Sequence, residues 1–200
     1  MAVKRRERGF SLLEVMVAIA IGMIATAMTF ITLQPMLQSQ HVTTAYNETL
    51  TAMRQARDQA AADMRVYVVT FAAPGTITVT QNTTTGPLLL QLTLPVDVTF
   101  HVEPGLPTSP ITAPSTPDGF GTAANAIDFD QGVGPGGATT IYFQPDGTAL
   151  DINGNINNGV LYMGRVGDLP SSRAITLWGS TGRIRGWRYW PAPIAAWRQQ

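Results

Sequence analysis

The residue in this 200-residue chain that most demands a chemical explanation is a lone carboxylate in apolar surroundings. From Phe10 to Leu33 there are 24 residues and one charge, Glu14. A carboxylate at mid-membrane depth costs about 2.5–3.5 kcal/mol and less near an end, so Glu14 requires a cationic partner or a path to water. A second group stands at the other terminus, where Arg183, Arg185, Arg188 and Arg198 interleave with Trp187, Tyr189, Trp190 and Trp197, and no acid follows Asp168. Guanidinium forks engage phosphates and aromatic faces stack on bases, which gives this segment the character of a nucleic-acid contact. The same string also suits a closing edge strand whose outward arginines deter pairing with other chains.

The remaining candidates are weaker. Asp151-Ile152-Asn153-Gly154-Asn155-Ile156-Asn157 places oxygen donors at alternate positions, like the start of a calcium loop. It fails the EF-hand pattern, which needs Gly at the sixth position (here Ile156) and Glu at the twelfth (here Tyr162), so an Asn- and Gly-rich turn is expected. Asp128 and Asp130 would share one face of a strand as a carboxylate pair, without an acid or base partner. His41 and His101 lack the spaced cysteine, histidine or carboxylate partners of a transition-metal site, so no metal or other cofactor is expected. Ser171, Ser172 and Ser180 have no histidine near them in sequence. The glycines of residues 132–137 are followed by no Lys-Ser or Lys-Thr pair and read as a turn, not a phosphate loop.

The elements that must carry these residues follow from periodicity. At roughly 1.5 Å per residue, residues 10–33 form a helix about 36 Å long, enough to cross a hydrocarbon core of about 30 Å. Lys4, Arg5, Arg6 and Arg8 precede it, whereas residues 33–45 carry no Lys or Arg, so the positive-inside bias places residues 1–8 in the cytoplasm and the remainder outside. Pro35 predicts a kink or local melting over residues 31–35. Beyond it, Val42, Tyr46, Leu50, Met53, Ala56 or Arg57, Ala60 and Met64 recur every three or four residues, an amphipathic stripe able to lie on a sheet. From Arg65 the period shortens to two. Strands are expected over 66–71, 76–80, 88–94, 96–102, 126–129, 139–144, 148–152 and 160–163, with a final hairpin of 174–178 and 183–188. Residues 105–121, rich in proline, read as a long loop with Phe120 as an anchor.

Composition bounds the classes. Absence of cysteine excludes a disulfide framework and thiol chemistry. The formal net charge is zero, and removal of residues 1–9 would leave 9 basic against 12 acidic side chains, which excludes a globally basic nucleic-acid protein. Nineteen glycines and 14 prolines with only 13% charged residues favour a loop-rich β domain over a helical bundle.

The segment Gly9-Phe10-Ser11-Leu12-Leu13-Glu14 after a short basic leader resembles the processing signal of type IV prepilins and the pseudopilins of type II secretion. The resemblance implies cleavage after Gly9 by a prepilin peptidase, methylation of the new Phe10 amine, and pairing of that amine with Glu14 of a neighbouring subunit. Two charges stranded in an apolar filament core are tolerable only together. Residues 141–148, Ser180-Thr181-Gly182-Arg183-Ile184-Arg185 and the helical phrase at 50–60 resemble one branch, the minor-pseudopilin H and fimbrial-T group (GspH/FimT).

That branch implies an α+β fold, a long N-terminal α-helix packed on an antiparallel β-sheet globular domain. The expected organisation is a leader (1–9), a transmembrane and filament-core helix (10–34), an amphipathic helix (35–65), a β-rich pilin-like domain (66–188) and an aromatic, basic tail (189–200). The expected location is the bacterial inner membrane, single-pass, with the globular domain in the periplasm before incorporation in a filament. Other pilin or pseudopilin subunits and the inner-membrane assembly platform are the expected partners. The implied role is structural and not enzymatic. The alternative is a DNA-binding subunit for uptake, in which Gly182-Arg183-Ile184-Arg185, with Arg188, contacts phosphates.

Overall fold

The computed structural model describes residues 11–107, 117–121, 124–131, 137–193 and 195–200, with the side chains of 30–35 left aside. Two compact units emerge, one ending at Gln38 and the other running from Ser39 to Gln200. The first contains the start of α1 (Leu12–Asp63). Its backbone is helical through Pro35, so the local melting expected there does not occur. Between Leu12 and Thr29 the mean hydropathy is 2.1 and no residue is buried within the protein. Thr26 and Thr29 donate their hydroxyls to the carbonyls of Gly22 and Ala25, at 2.7 and 2.9 Å, which leaves little polar surface on that stretch.

In the second unit α1 packs on two antiparallel sheets, which together hold ten strands among the described residues. The first has the order β3-β2-β1-β5-β6, built from β1 (Tyr67–Ala72), β2 (Thr76–Gln81), β3 (Leu88–Thr93), β5 (Thr140–Phe143) and β6 (Ala149–Leu150). The second has the order β10-β9-β8-β7-β4, built from β4 (Ile127–Gln131), β7 (Asn158–Met163), β8 (Arg173–Trp178), β9 (Arg183–Trp190) and β10 (Ala196–Gln199). The α+β class expected from the sequence, with helix first and antiparallel sheets after it, is the one observed, and it is consistent with the pilin fold.

Core formation explains which helix residues are selected. Val42, Tyr46, Met53, Ala56 and Ala60 of the predicted stripe are buried, joined by Ala45, Thr49 and Ala52. They meet Val69 and Phe71 of β1, Ile141 and Phe143 of β5, Leu161 of β7, Ile175 of β8 and Ile184 of β9, so both sheets close on one helix. The alanines permit that close approach. Met64 is not part of the stripe: it takes a left-handed φ of 53° just past the helix end, where the Arg65 amide returns to the Ala60 carbonyl at 3.2 Å and closes the last turn. Its side chain is exposed.

A second cluster fills the far face of the second sheet. Leu106, Val160, Tyr162, Ala174, Tyr189 and Trp197 are buried there, with Phe120 and Trp187 packed beside them. Phe120 therefore anchors the loop, as expected; residues 108–116 and 132–136 of the predicted loop and turn lie outside the described residues.

A further expectation is corrected. Residues 96–102 form no strand, contributing only a single bridge between Thr99 and Gly164, because Pro95 and the turn closed by the Val98 amide on the Pro95 carbonyl break the ladder. Within the aromatic and basic stretch 189–200, Tyr189 and Trp190 complete β9, and β10 pairs back on it with Trp197 opposite Tyr189.

Candidate functional site

Gly9 and Phe10 lie outside the described residues. Glu14 follows directly on the start of α1, in its first turn, where carboxylates are favoured by the helix dipole. The Ser11 carbonyl accepts the Glu14 and Val15 amides at 3.0 and 3.2 Å, so the helix is already closed at this point. Glu14 shares a helix face with Val15, Ala18 and Ile19. Leu12, Leu13, Met16 and Ile19 around it are all exposed. The first unit is thus an apolar helical surface with one acid near its start, and nothing within the described residues of that unit covers it. Such a surface is unstable in water and requires lipid or other apolar helices.

The C-terminal arginines are separated, not gathered. Side chains alternate across a strand, so Arg183, Arg185 and Trp187 project from the face of β9 opposite to Arg188 and Trp190. Arg183 is exposed, its guanidinium 5.4 Å from the Trp178 ring centre. Arg185 pairs with Asp118 at 3.1 Å. Asp118 also accepts the Thr176 hydroxyl at 2.5 Å, and Thr176 accepts the Trp187 indole N–H at 2.9 Å. This chain of contacts ties the short 3-10 turn Pro117–Gly119 onto β8 and β9. Asp118 was invisible as a partner in the sequence because it stands 67 residues from Arg185.

Arg188 lies on the helix side, stacked over Trp190 at 4.6 Å, with Arg198 on the same ring at 5.6 Å. It stands opposite Arg173 in the ladder. Arg173 is buried, and its Nη1 donates to the carbonyls of Pro170, Ser171 and Ser172 at 3.2, 3.0 and 3.1 Å. Burial, then the nearby Arg188 charge, bring its pKa down to about 10, which still leaves it cationic at neutral pH. Three carbonyls replace the water it lost.

The other candidates resolve into structural roles. His41 Nδ1 meets Asp97 at 3.0 Å, and His101 Nε2 meets Glu103 at 3.1 Å. Ser171 donates to the Asp168 carbonyl at 2.7 Å and accepts the Arg165 amide at 2.9 Å, stitching a turn. Asp151 caps its own loop, its Oδ1 accepting the Asn153 and Asn155 amides, both at 2.8 Å, as an Asn-rich turn should.

Asp128 and Asp130 do not act as a pair. The β4–β7 register shifts between Phe129 and Gln131, and Asp130 adopts a φ of 66°, so the bulge turns the two carboxylates to different surroundings. Asp128 accepts the Gly137 amide at 2.9 Å and lies near Tyr162, whose buried hydroxyl it helps push above the ordinary phenol pKa, after burial itself. Asp130 instead faces the surroundings of Asp151.

Residues 4–30 match the family model described as the prokaryotic N-terminal methylation motif. No curated protein and no solved structure matches the chain. The matched segment contains Gly9, Phe10 and Glu14, and the apolar helix behind it is consistent with membrane anchoring. An N-terminal methylation motif feeding an uncovered apolar helix, followed by a helix-on-sheet domain, makes this chain one whose motif and fold are consistent with the type IV pilin-like family.

Proposed function

We propose that the protein is a structural minor pilin or pseudopilin, cut after Gly9 and N-methylated at Phe10, and built into a type II secretion or type IV pilus filament. The observation that carries this is a methylation-motif match whose apolar helix bears a single carboxylate and is covered by none of the described residues of its own unit. Before assembly the helix spans the inner membrane with its basic leader in the cytoplasm and the β domain in the periplasm, where lipid covers the exposed Leu12, Leu13 and Met16. In the filament the equivalent helices of neighbours replace the lipid. Glu14 then meets the terminal ammonium of an adjacent subunit, and the pair survives in an apolar core because each charge cancels the desolvation burden of the other. The prepilin peptidase and the assembly platform are the partners this requires.

Intact mass spectrometry of the protein from its native host should give a chain beginning at methylated Phe10. A chain that still carries residues 1–9 would sink the reading. Replacing Gly9 by Leu should abolish cleavage, visible as a slower-migrating species on a gel.

A further inference from the structure

The cleft between the outer edges of the two sheets holds an arrangement that filament assembly does not use. Asp130, at the edge strand β4, is 8% exposed, and its Oδ1 is buried without a hydrogen-bond partner among the described residues. Its amide is tied to the Asn157 side-chain oxygen at 2.7 Å, and its left-handed backbone holds the carboxylate in place. Left as an isolated charge, such a group carries a large desolvation cost, so a native structure that retains it calls for a ligand or a proton.

Its neighbour is a second buried carboxylate. Asp151, also 8% exposed and next to the edge strand β6, holds four hydrogen bonds from Asn153 and Asn155 that favour its ionised form. Two carboxylates thus line one cleft of about 280 Å³, together with Thr84, Thr139, Thr140 and Asn153. Like charges lining one cleft raise the cost of charging each other. A divalent cation inverts that sign.

We propose that this cleft is a calcium site, with the carboxylates of Asp130 and Asp151 as its anionic ligands and threonine oxygens and water completing the shell. The polar donors lining it are chiefly oxygen, with no sulfur or imidazole, which selects a hard cation over a transition metal. An irregular set with only two carboxylates suits the larger, geometrically tolerant Ca²⁺ better than the octahedral Mg²⁺. The 151–157 loop has Tyr162 where an EF-hand carries its acidic twelfth ligand, and Asp130, on the other sheet, would supply the missing anion. Asn157, fully buried, already joins the Asp130 amide to the carbonyls of Thr140 and Leu150 at 3.0 and 3.4 Å. The cation would clamp the same seam between β4 and β5–β6.

The test uses the full chain in detergent, stripped with chelator, and followed by thermal unfolding and by equilibrium dialysis with radioactive calcium. Calcium chloride should raise the midpoint saturably, with half-effect at about 0.1–1 mM, the range of extracellular modules. Dialysis should find one ion per chain at saturation, with the same half-saturation, and matched potassium chloride should do nothing. Asp130→Asn should weaken calcium binding at least about tenfold, the minimum expected when a ligand carboxylate is lost, while leaving the chelated protein no less stable than the parent. Dialysis reads binding independently of unfolding, so a fold defect in Asp151→Asn would not obscure the outcome. The proposal is overturned if the parent shows no calcium response, if Asp130→Asn keeps the parental affinity, or if magnesium acts equally at the same concentration.

Discussion

Residues 12–29 and 42–60 belong to the same helix, yet no residue of the first set is buried, whereas Val42, Ala45, Tyr46, Met53, Ala56 and Ala60 are at most 3% exposed. Both stretches carry apolar side chains, the first all round and the second along one stripe, but only the second finds its solvent within the chain, in the two sheets that close on it. The first is left with leucine, isoleucine and methionine facing outward, a surface that must be satisfied by lipid or by other chains. One element therefore has two sources of stability. Substitutions in the N-terminal half should be read in processing and assembly, and those in the C-terminal half in the folding of the β domain.

The largest effect that would break this division belongs to Glu14. Glu14→Ala should leave cleavage and domain folding intact while cutting incorporation into filaments at least tenfold, because losing one partner of a buried ion pair costs about 3–5 kcal/mol. Fractionation of sheared filaments measures this, and parental incorporation would remove the pairing role.

Met53 and Met16 sharpen the contrast with one residue type. Met53→Ala should lower the stability of the β domain by about 2–5 kcal/mol, since Met53 is fully buried in the shared core. Met16→Ala should leave the domain's unfolding midpoint unchanged, because its side chain is exposed in the other unit. Equal losses would mean that the two halves of α1 fold as one cooperative core.

A smaller effect is expected where the helix meets β9. A side chain at Gly186 would overlap the Tyr46 hydroxyl, so Gly186→Ala should destabilise by about 1–3 kcal/mol through overpacking. Tyr46→Phe removes a buried hydroxyl that has no partner among the described residues and should be neutral or mildly stabilising. It should also relieve part of the Gly186→Ala defect, which a thermal double-mutant cycle would reveal.

The smallest effect concerns Arg183, which lies exposed over Trp178. Arg183→Gln should change stability by no more than about 0.5 kcal/mol, as for most surface sites. Arg185→Gln should cost more, since it removes the cation paired with Asp118 and loosens the 3-10 turn. If the alternative DNA-binding role holds, the full chain in detergent should retard DNA in a gel, weaken as salt rises, and lose the shift in the double variant. No retardation would leave β9 with a purely structural assignment.

Local signals account for what was legible beforehand. The meander of β1 to β3 and the hairpin of β8 and β9 follow from period-two patterning bounded by Gly and Pro turns, and these act within a few residues of one another. β10 was not legible because Pro191 and Pro193 interrupt the run and its register depends on an already folded β9. The bulge at Asp130 was hidden for a similar reason: the side chain that holds its amide is that of Asn157, 27 residues away. Arg173 gave no signal either, because a buried arginine is defined by the carbonyls that surround it.

The chain's own order of residues determined that an apolar helix with one acid comes first, that a basic leader precedes it, and that short antiparallel strands follow, since each depends on composition and spacing over a few turns. Tertiary structure decided which half of the helix is covered, that the C-terminal arginines fall on opposite faces of β9, and that Asp130 comes to face Asp151. Those outcomes depend on contacts between residues far apart in the chain, whose free energy exists only after both sheets have closed on α1.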